Sequence, residues 1–208
     1  KDLVRTGYDA VAPAYLDFIT RLPSPGITWV DKLLKLLPNA CTSKVLELAC
    51  GNGLPCTQHL APKVGHITAN DISAAQIHLV KERLAARHNI SYISGDMSQL
   101  SFVDGTFDTV LALHSLIHLP RDEQPAMLRL AHKWLRPGGI LLCNFDEEAD
   151  VGTVIEDWLG TRMYKSGFGV AESEKMIVEA GFVVLEAEVV REVEGKKTVP
   201  FLWVLATK

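Results

Sequence analysis

The chain has 208 residues, 48% of them hydrophobic, and a formal charge of -4 from 21 basic and 25 acidic residues. That is material for one well-buried domain, and without a basic stripe to neutralise phosphates nucleic acid is excluded as an expected partner. No apolar run reaches membrane-spanning length; the run at residues 33–37 is broken by Lys35 and closed by Pro38, so no membrane insertion is expected. Cys41, Cys50, Cys56 and Cys143 have neither metal-ligand spacing nor disulfide-rich density, and the seven histidines are scattered. Free thiols in a reducing, cytoplasmic compartment and no metal are therefore expected. Lys1 is not an initiator methionine, so an upstream targeting segment stays open.

Tyr8, Val11, Ala12, Tyr15 and Ile19 recur at helical spacing and predict a helix over residues 8–20, which Pro23-Ser24-Pro25-Gly26 breaks. That face serves either as core packing or as a cover over a site. A second amphipathic helix runs through Trp29, Val30, Leu33, Leu34 and Leu37 to Pro38-Asn39. The stretch Val45-Leu-Glu-Leu-Ala-Cys-Gly-Asn-Gly-Leu-Pro-Cys56 organises the rest. Its apolar run with one acid, Glu47, reads as a buried parallel strand. Gly51 and Gly53 permit a tight turn and close ligand approach, and Pro55 suits the first turn of the following helix. Strand, glycine turn and helix start make a nucleotide-type site at a strand's carboxyl end.

Residues 66–70 predict a second strand with Asp71 at its end, followed by Ile72 and a helix capped by Ser73 and Gln76 as a capping box. Residues 90–94 alternate as a third strand that stops at Gly95-Asp96-Met97. Residues 107–113 form a fourth, ending at Leu113 and His114-Ser-Leu-Ile-His118. A helix from Asp122 tolerates Pro125 in its first turn. Arg136-Pro-Gly-Gly139 then turns into a fifth strand over residues 140–145. Beyond the acids Asp146, Glu147, Glu148 and Asp150 the chain is less regular, with Trp158, Met163, Tyr164 and Phe168 among glycines. A helix over residues 173–180 and a hairpin of residues 182–193 and 198–207, joined at residues 194–197, complete the chain.

The spacing Glu47-x-x-x-Gly51-x-Gly53 lacks the third glycine of a dinucleotide fingerprint, where Cys56 stands, and no phosphate-loop Gly-Lys-Ser or Gly-Lys-Thr is present. Glu47 would repel a pyrophosphate and attract an ammonium. The segment resembles the first motif of class I S-adenosylmethionine-dependent methyltransferases. Asp71, Asp96-Met97 and Leu135-Arg-Pro-Gly-Gly139 stand where that family's later motifs occur, and Tyr8-Asp-x-Val-Ala-x-x-Tyr15 looks like its N-terminal cover helix. The departure is the Ala-Cys-Gly-Asn-Gly-Leu-Pro context, which leaves the glycines intact.

The resemblance implies a Rossmann-like α/β fold: a seven-stranded, mostly parallel sheet, helices on both faces and an antiparallel C-terminal hairpin. It implies one domain over residues 1–208, with cover helices over 1–40, a cofactor-binding core over 41–146 and a substrate-side segment with closing hairpin over 147–208. S-adenosyl-L-methionine is the implied cofactor, held by Tyr8, Tyr15, Glu47, Ala49, Gly51, Gly53, Asp71, Ile72, Gln76, Asp96, Met97 and Leu113. The acceptor is expected to be a small molecule with an O-, N- or S-nucleophile, and the protein a monomer or homodimer. His118 and His114 are the candidate bases, His118 preferred, because both fall at the edge where the fourth strand ends. No Asn-Pro-Pro-Tyr or Asp-Pro-Pro-Tyr follows that strand, which counts against methylation of base or glutamine amino groups. Three alternatives remain: a non-catalytic cofactor-binding module, a pericyclase-like descendant of the fold, and a nicotinamide-dependent oxidoreductase. The last lacks both the third glycine and a Tyr-x-x-x-Lys pair.

Overall fold

A computed structural model describes residues 1–194 and 197–208. Its helices are α1 (Asp2–Thr20), α2 (Gly26–Leu36), α3 (Cys56–Leu60), α4 (Ala74–Arg83), α5 (Gln124–Trp134) and α6 (Val170–Glu179). The strands are β1 (Lys44–Leu48), β2 (His66–Asp71), β3 (Ile90–Ser94), β4 (Phe107–Ala112), β5 (Leu135–Asp146), β6 (Ala149–Trp158), β7 (Thr161–Phe168), β8 (Val183–Glu194) and β9 (Lys197–Thr207). Seven of them form one sheet in the order β3-β2-β1-β4-β5-β9-β8. The first five neighbours run parallel, and β9 is antiparallel to both β5 and β8. The Rossmann-like arrangement expected from the sequence is the one observed.

Side chains alternate across this sheet, so each strand feeds two cores. Leu46, Leu48, Val110, Leu141, Cys143 and Phe145 face α5 and α6, where they meet Met127, Leu128, Trp134 and Ile177. Val45, Leu111, Ile140 and Leu142 face the opposite side, with Trp29, Leu33, Leu60, Ile77 and Val80 from α2, α3 and α4. Burial on both faces is why these strands read as near-continuous apolar runs. Glu47 is the exception, a charge on the Val45 side of β1, only 6% exposed. Cys50, Cys56 and Cys143 are buried free thiols and Cys41 is exposed. Among the described residues no helix is long and apolar enough to cross a membrane.

Several expectations need correction. The first helix starts at Asp2 rather than near Tyr8 and carries Pro13 inside it. The Arg136-Pro-Gly-Gly139 turn lies within β5, as an irregularity in its pairing with β4 between Phe107 and Thr109, because Gly138 supplies a left-handed residue at φ +73°. The stretch read as irregular is a second sheet, the hairpin β6–β7. Leu159 and Gly160 at its tip both have positive φ, +53° and +87°, the twist a two-residue hairpin turn demands. α6 also begins three residues earlier than expected. The expected β8–β9 turn falls on Gly195 and Lys196, outside the described residues.

Gly53 tests the packing of the turn after β1. Its φ is +85°, and a Cβ there would lie 2.5 Å from Val80 Cγ2 on α4. Gly53→Ala combines a left-handed strain with a core clash, so it should destabilise the protein by about 2–4 kcal/mol. Urea denaturation checks this; a midpoint equal to wild type would mean that the turn does not press on α4.

Candidate active site

At the carboxyl ends of the parallel strands the chain turns sharply, and a cavity of about 100 Å³ opens there. Two turn residues have unusual backbones for side-chain-bearing residues, Ala49 after β1 (φ +57°) and His114 after β4 (φ +48°). Of the fourteen residues expected at a site, twelve line this cavity: Tyr8, Tyr15, Glu47, Ala49, Gly51, Asp71, Ile72, Asp96, Met97, Leu113, His114 and His118. Gly53 and Gln76 do not. Gly53 is pressed against Val80. Gln76 is fully buried, and its side-chain carboxamide finds no hydrogen-bond partner among the described residues. The capping box is correspondingly half made. Ser73 Oγ accepts from the Gln76 amide N–H at 3.1 Å, but the Ser73 N–H goes to Asp71 Oδ1 at 2.8 Å.

Three acids stand around the cavity, and each is held differently. Glu47 Oε2 accepts from Thr57 Oγ1 at 2.8 Å on α3. Asp71 accepts the Gly51 N–H on Oδ2 at 2.8 Å and the Ser73 N–H on Oδ1, so it ties the glycine turn to the start of α4. Asp96 accepts the Ser98 N–H at 2.9 Å and pairs with Lys1 at 2.8 Å. Burial raises the Glu47 pKa to about 7; the Thr57 hydrogen bond opposes the shift and the Asp71 charge adds to it. Burial likewise raises Asp71 to about 6, against its two backbone N–H bonds and with help from Asp9. For Asp96 burial pushes upward, but hydrogen bonds from Lys1 and Ser98 outweigh it and hold the carboxyl below its ordinary value. A Cβ on Gly51 would project towards the Tyr15 ring at 3.6 Å, on the cavity side.

α1 closes the cavity from above and is tied down along its length. Asp9 accepts from Ser73 Oγ at 2.6 Å and from the Ala75 N–H at 3.2 Å, which supplies a carboxylate to the N-terminus of α4. The Tyr8 ring packs edge-on against Tyr15 and Trp158, with centroids 5.3 and 5.2 Å away. Trp158 comes from the hairpin that the sequence did not reveal. A second, larger cavity of about 410 Å³ continues beyond this aromatic cluster. It shares Tyr8, Tyr15, His114 and His118 with the first, and adds Phe18, Ile155, Met163, Lys165 and Phe201.

The two histidines differ. His118 Nδ1 lies 2.8 Å from the Tyr164 carbonyl oxygen, which can only accept, so Nδ1 carries the hydrogen. Nε2 is then the lone-pair nitrogen, and it faces Tyr8 Oη at 3.0 Å. Burial lowers the His118 pKa, against the opposing effect of the Tyr164 carbonyl. His114 is wedged edge-on against Phe201 and Trp203, and its backbone N–H donates to Asn144 Oδ1 at 2.6 Å. Burial and the neighbouring His118 depress its pKa to about 4. Sequence reading missed Ser115, Trp203 and Lys1, which also line the first cavity. Ser115 Oγ is buried with no hydrogen-bond partner among the described residues. Only distant strand pairing brings Trp203 near, and no local pattern encodes that.

The Glu47 carboxylate is expected to cost stability at neutral pH. Its folded pKa, about 7, lies above its unfolded value of 4.5. The fold therefore holds the proton more tightly, and stability falls as pH rises from about 4.5 to about 7. Glu47→Gln keeps an acceptor for Thr57 and removes this cost. The variant should gain ~1–3 kcal/mol at pH 8, shrinking towards pH 5. Thermal unfolding across that range checks it; a gain that does not depend on pH would refute the assignment.

Known proteins resemble this chain in the same region. Residues 45–139 match a family model described as a methyltransferase domain. Demethylmenaquinone methyltransferase of Staphylococcus saprophyticus is 30% identical over 119 residues, 56% of this chain and 50% of its own length. The 27-O-demethylrifamycin SV methyltransferase of Amycolatopsis mediterranei is 31% identical over 114 residues, 53% of this chain and 41% of its own. The chain thus spans about half the length of the curated relatives it matches. A Burkholderia thailandensis 1,6-didemethyltoxoflavin-N1-methyltransferase, solved with 1,6-didemethyltoxoflavin and S-adenosylhomocysteine bound, superposes with a TM-score of 0.76 at 18% identity and covers 98% of this chain and 86% of its own. Residues 45–139, which carry the motifs at successive strand ends, are thus similar to a methyltransferase domain, and the chain shares its fold with solved S-adenosylmethionine-dependent methyltransferases.

Proposed function

We propose that the protein transfers a methyl group from S-adenosylmethionine to a small-molecule acceptor in the second cavity. The observation that carries this reading is the placement of Glu47, Asp71 and Asp96 at three successive strand ends around one cavity that opens into another. The donor set fits the cofactor. Glu47, buried and anionic when a cation approaches, suits an amino-acid ammonium; Asp71, with backbone N–H groups on both oxygens, keeps lone pairs for ribose hydroxyls; Asp96 and Met97 suit an adenine edge and face. Ser115 Oγ adds a buried hydroxyl with hydrogen-bonding capacity to spare. The family's small-molecule enzymes named above support an acceptor of that size, as does the second cavity's mixed apolar and polar lining.

When bound, the cofactor supplies an activated methyl group that an acceptor atom takes by in-line displacement. The chain's contribution is positioning, exclusion of water and custody of a proton. α1, with Tyr8 and Tyr15 against Trp158, roofs the junction of the two cavities and keeps water from it. His118 is the better base of the two histidines. Its tautomer is fixed by the Tyr164 carbonyl, which leaves the Nε2 lone pair facing Tyr8 Oη at 3.0 Å, beside the wall the two cavities share. His114, depressed to about 4, is a weak base whose ring and backbone shape the wall. Nicotinamide chemistry has no support in the residues present: position 56 is Cys and no Tyr-x-x-x-Lys pair occurs.

The direct experiment is transfer of label from S-adenosyl-[methyl-³H]methionine to a panel of small hydroxyl, amine and thiol acceptors. Labelled product from wild type is expected. His118→Gln should bind S-adenosylhomocysteine as wild type does and turn over about 10²–10⁴ more slowly. Because burial lowers the His118 pKa, wild-type turnover should hold its plateau below the pH at which an ordinary histidine protonates. Full turnover in the variant would remove His118 from the mechanism, and cofactor binding without transfer to any acceptor would leave a binding module.

The 100 Å³ first cavity is smaller than the ~300–1,000 Å³ of most small-molecule sites, so α1 must yield to admit a cofactor and then close again. Hydrogen exchange across α1 should therefore be fast in the free protein and slow on addition of S-adenosylhomocysteine. Equal exchange in the two states would make α1 a fixed core helix.

A further inference from the structure

Resting on the methyl-transfer reading, we propose that the second cavity receives a flat, apolar ring system bearing a weakly acidic hydroxyl, and that Tyr8 is the residue that touches this hydroxyl and passes its proton to His118. The walls argue for the ring. Tyr8, Tyr15 and Trp158 form a cluster with centroids 5.2–5.6 Å apart, and Phe18 and Phe201 line the same cavity. Rigid aromatic faces grip a planar molecule with little loss of side-chain freedom. The cavity's volume, about 410 Å³, lies in the range of small-molecule sites.

The hydrogen-bond arrangement argues for the hydroxyl and for Tyr8. Both nitrogens of His118 are committed, Nδ1–H to the Tyr164 carbonyl at 2.8 Å and Nε2 to Tyr8 Oη at 3.0 Å. A proton bound for Nε2 therefore arrives through the tyrosine oxygen, which can accept one hydrogen bond while donating another. In the transfer the acceptor O–H proton moves to Tyr8 Oη as the Tyr8 proton moves to His118 Nε2. The acceptor oxygen bonds the methyl carbon, and the carbon–sulfur bond breaks with its electron pair remaining on sulfur. Tyr8 is unchanged and one proton rests on the imidazole, so atoms and charge balance.

Other acceptor classes fit less well. A neutral amine attacks with its own lone pair and needs no proton acceptor beforehand. A carboxylate would meet three acids, Asp146, Asp157 and Glu192, against two lysines, Lys165, which already pairs with Asp146 at 2.7 Å, and the exposed Lys197. A hydroxyl on an aromatic or conjugated ring is neutral on entry and acidic enough to give its proton to an imidazole through a phenol.

The test uses the full chain and three probes: 2-naphthol, naphthalene and 2-naphthoate. Calorimetry first establishes that S-adenosylhomocysteine binds; if it does not, the methyl-transfer reading falls and this inference with it. On the cofactor-saturated protein, 2-naphthol should bind about tenfold more tightly than naphthalene, the worth of one good hydrogen bond, and 2-naphthoate more weakly than 2-naphthol. Tyr8→Phe should erase the preference for 2-naphthol. Because Tyr8→Phe could disturb α1, nitrogen NMR of wild-type His118 provides a second measurement. Nε2 should be the lone-pair nitrogen, and 2-naphthol should shift it while leaving Nδ1 bonded to hydrogen. Bound S-adenosylhomocysteine together with equal affinity for 2-naphthol and naphthalene, no 2-naphthol binding, or a His118 with hydrogen on Nε2 overturns this inference and leaves the methyltransferase assignment standing.

Discussion

The structure depends on placing two carboxylates, Glu47 and Asp71, inside the carboxyl edge of adjacent parallel strands. Among the described residues neither is paired with a cation; each is held by neutral donors, a threonine hydroxyl for one and two backbone N–H groups for the other. Neutral donors only partly offset the loss of water around a charge, which is why both pKa values rise. A core built for stability alone would place an amide or an aliphatic side chain at Glu47. Keeping an acid there stores an unmet demand for positive charge, and Glu47 lines the first cavity. A cationic ligand would meet it, so affinity and the cost to the empty fold have one origin.

The parallel sheet and its acids were legible in the sequence because each depends on short-range pattern. Strand burial on both faces writes itself as apolar runs, β3 falls at the residues its alternation indicates, and Asp71, Asp96 and Asp146 stand at or just after the ends of β2, β3 and β5. Gly51 and Asp71 are linked through the hydrogen bond that makes the turn. The misreadings came from residues whose task is set by distant neighbours. Gly53 has the sequence signature of a ligand-facing glycine, but α4 occupies the space beside it. Gln76 stands where a capping box would use it, but Asp71 already takes the Ser73 N–H. The β6–β7 hairpin was hidden because its strands are half exposed and irregularly paired, which blurs the two-residue alternation. Trp158 therefore read as part of a loose pocket segment, whereas the hairpin fixes it as a ring in a three-aromatic cluster.

That hairpin explains how one sheet serves two cavities. β5 ends at Asp146, and the chain returns through β6 and β7 over the strand ends before α6 resumes the core. Lys165 on β7 pairs with Asp146 and so fastens the hairpin to the main sheet. Tyr164, next to it, presents its carbonyl to His118. A surface insertion thereby sets the tautomer of a histidine that belongs to the β4 edge. In the proposed reaction, acceptor specificity and proton acceptance both depend on this hairpin, so variation in it would alter both together.

α1 completes the arrangement from the other side. Its Asp9 caps α4, whose N-terminus is also where Asp71 and Ser73 meet, and one residue earlier in α1 Tyr8 reaches His118. Two residues on one helix thus contact the cofactor side and the acceptor side of the junction. Separating them would require bending the helix, so they arrive and leave together. In the proposed reaction, the movement that shuts out water also brings the tyrosine hydroxyl to the imidazole. A proton acceptor completed only by closure stays incomplete while water can still reach an activated methyl group. The helix need supply no chemistry of its own for this coupling. It has only to be stiff where the adjacent residues Tyr8 and Asp9 point to different sides, and its hydrogen-bonded backbone ensures that.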